Sequence, residues 1–279
     1  MKSSALCFTV IPLLIPTAAI EACPITKRDI STKEKRCCTR FTILRPAAEN
    51  ILSILFDGSN DIDTRSISPP RYNHDSVGIT STIPVEHDKN LYSKHKTIQT
   101  SQDIDGWRVL KFCRRVGTGG NRYKKLRRAV LDWEFESRVG NRSMGIIPVT
   151  APLHDSATKS SSTTRSLLAT FTEVRLPFRS LFVVNPVHVI RETRNVKDDR
   201  NKCIISSASY ATMRGHLLSG EERVTAIWRN GIDNEVDVEI LSYSKAAPSL
   251  AGRLIWPLIG RMQKQFFLAE MEHLVCHSA

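Results

Sequence analysis

The sequence predicts an α+β fold in which a curved antiparallel sheet wraps a long C-terminal helix. Three observations carry that expectation. Strand-like runs succeed one another from residue 133 to 243 with no helical period between them, so a parallel sheet of βαβ units is excluded. Asn230-Gly231 stands between two of those runs, a dipeptide that suits a tight hairpin. The chain then ends on a broad apolar stripe at helical spacing: Leu258, Ile259, Met262, Phe266, Phe267, Ala269 and Leu274. Burying about six large side chains at ~1.5–3 kcal/mol each is more than a surface helix needs, so this helix should lie along the sheet.

In chain order, residues 1–22 combine a basic start (Lys2), an apolar stretch interrupted by Pro12 and Pro16, and a small-residue end. They read as a secretory signal or anchor, or as an unstructured leader. In the first case the protein is secreted or membrane-anchored and Asn141-Arg-Ser143 is a glycosylation acceptor; otherwise it is intracellular. Residues 23–69 form a weakly structured extension, with one short helical pattern between Pro46 and Phe56. A single α+β domain then occupies 70–276, with loop insertions near 76–106 and 141–165. Trp107 to Val116 reads as a half-exposed strand, Gly117-Thr-Gly-Gly120 as a turn, and Arg122 to Trp133 as a helix. The strand runs are Trp133–Val139, Leu167–Leu176, Leu181–Ile190, Cys203–Met213, Arg223–Trp228 and Val236–Tyr243. In the last of these Val236, Val238 and Ile240 alternate with Asp237, Glu239 and Leu241, so one face points inward and the other mostly to water. Pro257 suits the first turn of the final helix, where no amide hydrogen bond is lost.

Composition bounds the function. Of 279 residues, 41% are hydrophobic and 24% charged, which excludes disorder, collagen and coiled coil. No run of 18 apolar residues occurs, which excludes a polytopic helical membrane protein. The net charge of +12 is concentrated: residues 108–142 hold eleven Lys/Arg against three Asp/Glu. That face suits an anionic membrane surface, or is simply a solvated helix. It lacks interleaved aromatics and helix-turn-helix or zinc-finger spacing, so no nucleic-acid partner is expected. Four of the seven cysteines precede residue 40; Cys113, Cys203 and Cys276 sit in apolar surroundings and read as inert thiols. The eight histidines are scattered, and neither a metal site nor a cofactor is expected.

The order of elements looks like the helix-grip fold of the START and Bet v 1-like superfamily, in which a curved sheet around the last helix often leaves an apolar cavity. More specific stretches are Tyr72-Asn-His-Asp75, Gly117-Thr-Gly119 leading into Tyr123 and Trp133, and Val174-Arg-Leu-Pro177. Gly215-His-Leu-Leu-Ser-Gly-Glu-Glu-Arg223 and Glu239-Ile-Leu-Ser-Tyr-Ser-Lys-Ala246 follow. In this order they resemble the domain-of-unknown-function 1990 family, also called uncharacterised protein family 0548, over roughly residues 70–275. The resemblance implies the fold and leaves the chemistry open.

The leading functional reading is a binding domain for an apolar or amphipathic small molecule or lipid. Leu258, Met262, Phe266, Phe171 and Trp228 are its expected walls, unless they pack on one another with no cavity. Lys245, in a polar group with Ser244 just before the last helix, could hold an anionic ligand head, and Tyr72, His74 and Asp75 could pair a histidine with an orienting carboxylate at a ligand site; a surface lysine and a simple turn are the alternatives. A second reading is an enzyme of cyclase or hydrolase type using His216 with Glu221 or Glu222; the alternative is a hairpin turn in which Gly215 and Gly220 give backbone freedom and both glutamates are solvated. A third is a membrane-surface protein presenting 108–142 to anionic lipid.

Overall fold

The computed structural model describes residues 72–94, 96–133, 135–139, 142–149, 167–176, 179–230, 234–248 and 250–278. The leader, the extension before residue 70 and Gly231 of the expected hairpin lie outside the described residues. Among those described, nine strands form one sheet: β1 (Ile98–Ile104), β2 (Trp107–Thr118), β3 (Phe135–Val139), β4 (Arg142–Val149), β5 (Leu167–Leu176), β6 (Arg179–Asp198), β7 (Cys203–Thr212), β8 (Leu218–Arg229) and β9 (Glu235–Ala246). The helices are α1 (Ile79–Thr82, a single turn), α2 (Gly120–Asp132) and α3 (Leu250–Ser278).

The strand order is β1-β2-β9-β8-β7-β6-β5-β4-β3, antiparallel throughout. The chain lays down β1 and β2 at one edge and crosses to the opposite edge through α2. It then meanders back, neighbour by neighbour, until β9 pairs with β2. Sequential strands from β3 to β9 lie side by side and antiparallel, so no crossover helix is needed between them.

The sheet curls around α3. Phe267 lies 5.6 Å from Phe112 of β2, and Phe266 lies 5.5 Å from Phe135 of β3. These strands stand second and last in the sheet order, so one helix can reach both only if the layer between them is bent. The buried stripe of α3 includes Phe266, Phe267, Ala269, Met271 and Leu274, facing Leu110, Phe112, Val238 and Ile240 across the concave core. Pro257 lies inside α3, at its eighth residue, and not in its first turn. It is exposed there, and the helix runs past it although the proline nitrogen donates no hydrogen bond.

Two strands occupy stretches that read as loops. β1 is mostly exposed and lacks an apolar alternation, as an edge strand can. β4 does bury Met144, Ile146 and Ile147, but its run is short and mixed. β6 is twice as long as the apolar run within it, and irregularities at Val189/Arg191 and Thr193/Val196 absorb the extra residues. β8 and β9 pair antiparallel from Arg229↔Glu235 onward, as the Asn230-Gly231 signal required.

The alternation in β9 places Val236, Val238 and Ile240 in the concave core. The other face is not turned to water: Asp237 and Glu239 are both 0% exposed. Residues 72–94, polar in sequence, lie over that convex face as a strap. Arg115 Nε and Arg229 Nε donate to the two Asp237 oxygens at 3.0 and 2.8 Å, and Arg223 Nη2 donates to Glu239 at 2.9 Å. Lys111 lies 3.3 Å from Glu86 of the strap. Arg223 also donates to the carbonyls of Thr80 and Ile83, both at 2.6 Å, which ties the strap to β8. Trp107, Val109, Leu241 and Tyr243 pack with Ile79 and Ile83 beside these pairs.

Removing one partner from a buried ion pair strands the other charge, which costs about 3–5 kcal/mol. Arg223→Ala is therefore expected to lose about that much in urea unfolding, whereas Arg128→Ala, whose pair with Asp132 is exposed, should leave the midpoint nearly unchanged.

Candidate functional site

Between the concave face and α3 lies a cavity of about 240 Å³. β5 and β6 contribute Thr170, Thr172, Val183 and Asn185; β7 contributes Tyr210 and Thr212; β8 contributes Gly220 and Glu222; β9 contributes Ser242 and Ser244. Ile259, Met262, Gln263, Phe266 and Phe267 of α3 close the other side, and His216 with Leu217 forms one end. Successive strand residues alternate between faces, so Glu222 can reach this cavity only because Glu221 and Arg223 turn to the strap.

Glu222 is 1% exposed and Glu270, from α3, is 3% exposed. The two carboxyls meet in the core and share a hydrogen bond, and the Tyr210 hydroxyl donates to Glu222 Oε2. Removal from water pushes Glu222 up to about 7, opposed by its hydrogen bonds with Glu270 and Tyr210. Burial, the Glu222 charge and the shared hydrogen bond hold Glu270 well above the usual carboxylate range. One proton between two carboxyls is the natural state of such a pair. Burial also keeps the Tyr210 phenol protonated, by raising it well above its ordinary value. Trp133 packs edge-on to Tyr210 with ring centroids 5.4 Å apart. Nearby, Gln263 Nε2 donates to Ser242 Oγ at 3.3 Å, and Ser244 Oγ donates to Gln263 Oε1 at 3.1 Å.

The structure brings together part of the expected set. Glu222, His216, Ser244, Met262 and Phe266 all line the cavity. Glu221 adds to its wall, but its carboxylate faces the strap, accepting from Gly78 N and, at 3.0 Å, from both Thr80 N and Thr80 Oγ1. Neither glutamate is solvated, against the hairpin-turn expectation, because β8 starts at Leu218 and both lie inside it. Of the two glycines, Gly215 does adopt a left-handed φ of +91°. Gly220 has a different reason: a Cβ there would lie 2.1 Å from the Tyr243 carbonyl oxygen of β9.

His216 Nδ1 accepts from Leu218 N at 2.9 Å, and burial pushes the ring down to about 3, so it is neutral. His74 belongs to the strap, its Nε2 3.0 Å from the Gly220 carbonyl, and burial lowers its pKa as well. Tyr72 Oη meets His188 Nδ1 at 3.0 Å. Phe171 is buried in β5 and does not border the cavity. Trp228 stacks on Tyr123 of α2 at 5.7 Å, away from it. Lys245 Nζ sits 4.1 Å over the Trp107 ring on the convex face. The side chain of Leu258 lies outside the described residues.

Sequence reasoning did not single out Glu270, Tyr210 or Gln263. Glu270 carried a signal: it falls between Phe266, Phe267 and Leu274 on the apolar stripe of α3, where an acid has no reason to be unless it has a partner.

Elsewhere, His87, Asp198 and Cys203 each offer one ligand atom within 4.8 Å of the others, the arrangement among the described residues that could hold a metal ion. His87 Nε2 is 3.4 Å from Asp198 Oδ2, and Asn201 orients that carboxylate. The basic segment divides. Lys111, Arg114 and Arg115 of β2 pair with acids, and Arg127 and Arg128 of α2 point outward, Arg127 bonding Asn195 and Arg128 pairing with Asp132. Among the described residues no helix is long and apolar enough to cross a membrane.

The carboxyl pair gives stability a specific pH dependence. A carboxyl whose native pKa is raised binds a proton that the unfolded chain has released, so stability falls as pH rises from the ordinary 4.5 to about 7. Glu222→Gln is expected to flatten that slope. Its thermal midpoint should rise relative to wild type on going from about pH 5 to about pH 8, corresponding to ~1 kcal/mol or more.

A family model described as "Domain of unknown function (DUF1990)" matches residues 92–272. The match takes in β1 to β9, the cavity and the carboxyl pair, and it begins after the Tyr72-Asn-His-Asp75 segment. No curated protein matches the chain. With the match spanning well over half of its length, the chain belongs to the family of the domain of unknown function DUF1990.

Proposed function

We propose that this protein is a small-molecule-binding domain of the helix-grip type, holding an apolar or amphipathic ligand between the curved sheet and α3. The observation that carries the reading is the cavity itself. It sits between the concave face and α3, with Ile259, Met262, Phe266 and Phe267 on one side and a largely polar sheet wall that includes Asn185, Tyr210, Glu222, Ser242 and Ser244 on the other. Concave, mostly apolar sites with a small number of placed polar groups are the usual form of ligand pockets. At about 240 Å³ it is smaller than the ~300–1,000 Å³ of drug-sized sites, so the ligand is small.

Native mass spectrometry after mild extraction, followed by uptake from a lipid and metabolite panel, tests the reading. Recovery of bound ligand and loss of uptake in Met262→Trp, which fills the cavity, are the expected results. Uptake should fall about tenfold or more while far-ultraviolet circular dichroism is unchanged. A wild-type protein that takes up nothing from the panel would remove the proposal.

The carboxyl pair supports a second reading, acid–base catalysis in the same cavity. Two carboxyls sharing a proton near neutral pH can deliver and accept it in turn. The role at the cavity would then fall to Glu222, with Glu270 behind it as proton partner, since the Glu221 carboxylate is engaged by the strap. Glu222→Gln retaining full activity in any reaction found for the protein would end that reading.

A further inference from the structure

The carboxyl pair lies in the interior, and among the described residues no ion pair balances its charge. Glu222 Oε1 and Glu270 Oε2 are both buried, and apart from the proton that the pair shares no N–H or hydroxyl of another described residue donates to them. The Tyr210 hydroxyl is the donor that the structure gives to Glu222. No lysine or arginine stands among the described residues that line the cavity. The lysine that the sequence placed near the site, Lys245, lies on the opposite face of the sheet against Trp107. The arginines of β8, Arg223 and Arg229, are likewise on the convex face, held by Glu239 and Asp237. His216, at the end of the cavity, is a neutral ring with one nitrogen already occupied by Leu218 N.

A buried acceptor without a donor costs about 1–3 kcal/mol, and a buried charge without a counter-ion costs more. A ligand that brings both a positive charge and N–H donors offsets that cost. One that brings a carboxylate or phosphate adds like charge to an acidic site. An alcohol satisfies an acceptor but leaves the charge.

We infer that the cavity selects an organic cation, a small alkyl or aralkyl amine whose ammonium group donates to Glu222, the member of the pair that borders the cavity, while its apolar part lies against Met262, Phe266 and Phe267. This rests on the binding-domain reading of the same cavity. The ammonium balances the single negative charge of the pair, so the shared proton stays between the carboxyls, and binding releases to solvent only the second proton that Glu222 still partly holds near pH 7. Affinity should therefore rise with pH until the amine itself deprotonates.

The test uses three probes of equal chain length, octylamine, octanol and octanoate, titrated calorimetrically into the full-length protein at neutral pH. Octylamine is expected to bind at least about tenfold more tightly than octanol, as charge-assisted hydrogen bonds allow, and octanoate more weakly than either. Repeating the amine titration in buffers of different ionisation enthalpy should show proton release. Glu222→Gln should abolish the preference for the amine while octanol still binds. If alcohol and amine bind equally, or octanoate binds best, the inference falls and the binding-domain reading stands. If none of the three binds, and the metabolite panel also yields nothing, both fall. Should Glu222→Gln fail to fold, Glu270→Gln with the same readout replaces it.

Discussion

The architecture depends on two adjacent phenylalanines of one helix. Phe267 packs on β2 and Phe266 on β3, strands at nearly opposite ends of the sheet order. A flat sheet of nine strands at ~4.8 Å spacing would hold those strands more than 30 Å apart, far beyond the span of two neighbouring side chains. Their simultaneous contact with α3 therefore fixes the curl. The curl in turn creates the core: Leu110, Phe112, Val238 and Ile240 on one wall meet Phe266, Phe267, Met271 and Leu274 across it. The cavity lies at the end of α3 nearer its start, where Ile259, Met262 and Gln263 stand off from β5 and β7 to β9. Further along, the same helix brings Glu270 to Glu222, so the clasp that makes the core also desolvates the carboxyl pair.

A sheet so curved has a convex face, and here it is charged. Asp237 and Glu239 on β9, Arg223 and Arg229 on β8, and Lys111 and Arg115 on β2 form a lattice of ion pairs. Left in water these pairs would contribute little. The strap at 72–94 covers them, and in doing so becomes part of the lattice through Glu86 and the Thr80 and Ile83 carbonyls. Two of the four cations of β2, Lys111 and Arg115, are thereby engaged, while Arg114 pairs with Glu272 of α3 and Arg108 lies over the Trp256 ring.

Much of this was legible in the residues. The terminal helix was read from its apolar stripe, the antiparallel sheet from the succession of strand runs, and the β8–β9 pairing from Asn230-Gly231. β5 runs from Leu167 to Leu176 as its pattern indicated. What was not legible has a common cause. Periodicity shows which residues share a face, but not what lies on the far side of it. Asp237 and Glu239 alternate with valines and read as a wet face; the strap that buries them is polar itself and has no periodic signal. Glu222 had the same ambiguity, because its partner Glu270 is 48 residues away and belongs to another element. β1 escaped notice since an edge strand of mostly exposed residues needs no apolar alternation.

Glu221 and Glu222 show how far the neighbours, and not the residue type, decide the chemistry. They are consecutive, equally buried and on the same strand. Glu221 faces the strap and accepts from two backbone N–H groups and a threonine hydroxyl. Glu222 faces the core, with one phenol and a second carboxyl for company, and burial pushes its carboxyl up to about 7. A register slip of a single residue in β8 would exchange the two environments. It would place Arg223 in the cavity and Val224 on the strap. The pairing of β8 with both β7 and β9 forbids that slip over its whole length, as does Gly220, which fits only where the Tyr243 carbonyl approaches most closely. The acidic character of the cavity is thus set by strand register, and the register is held by the same sheet that the two phenylalanines bend.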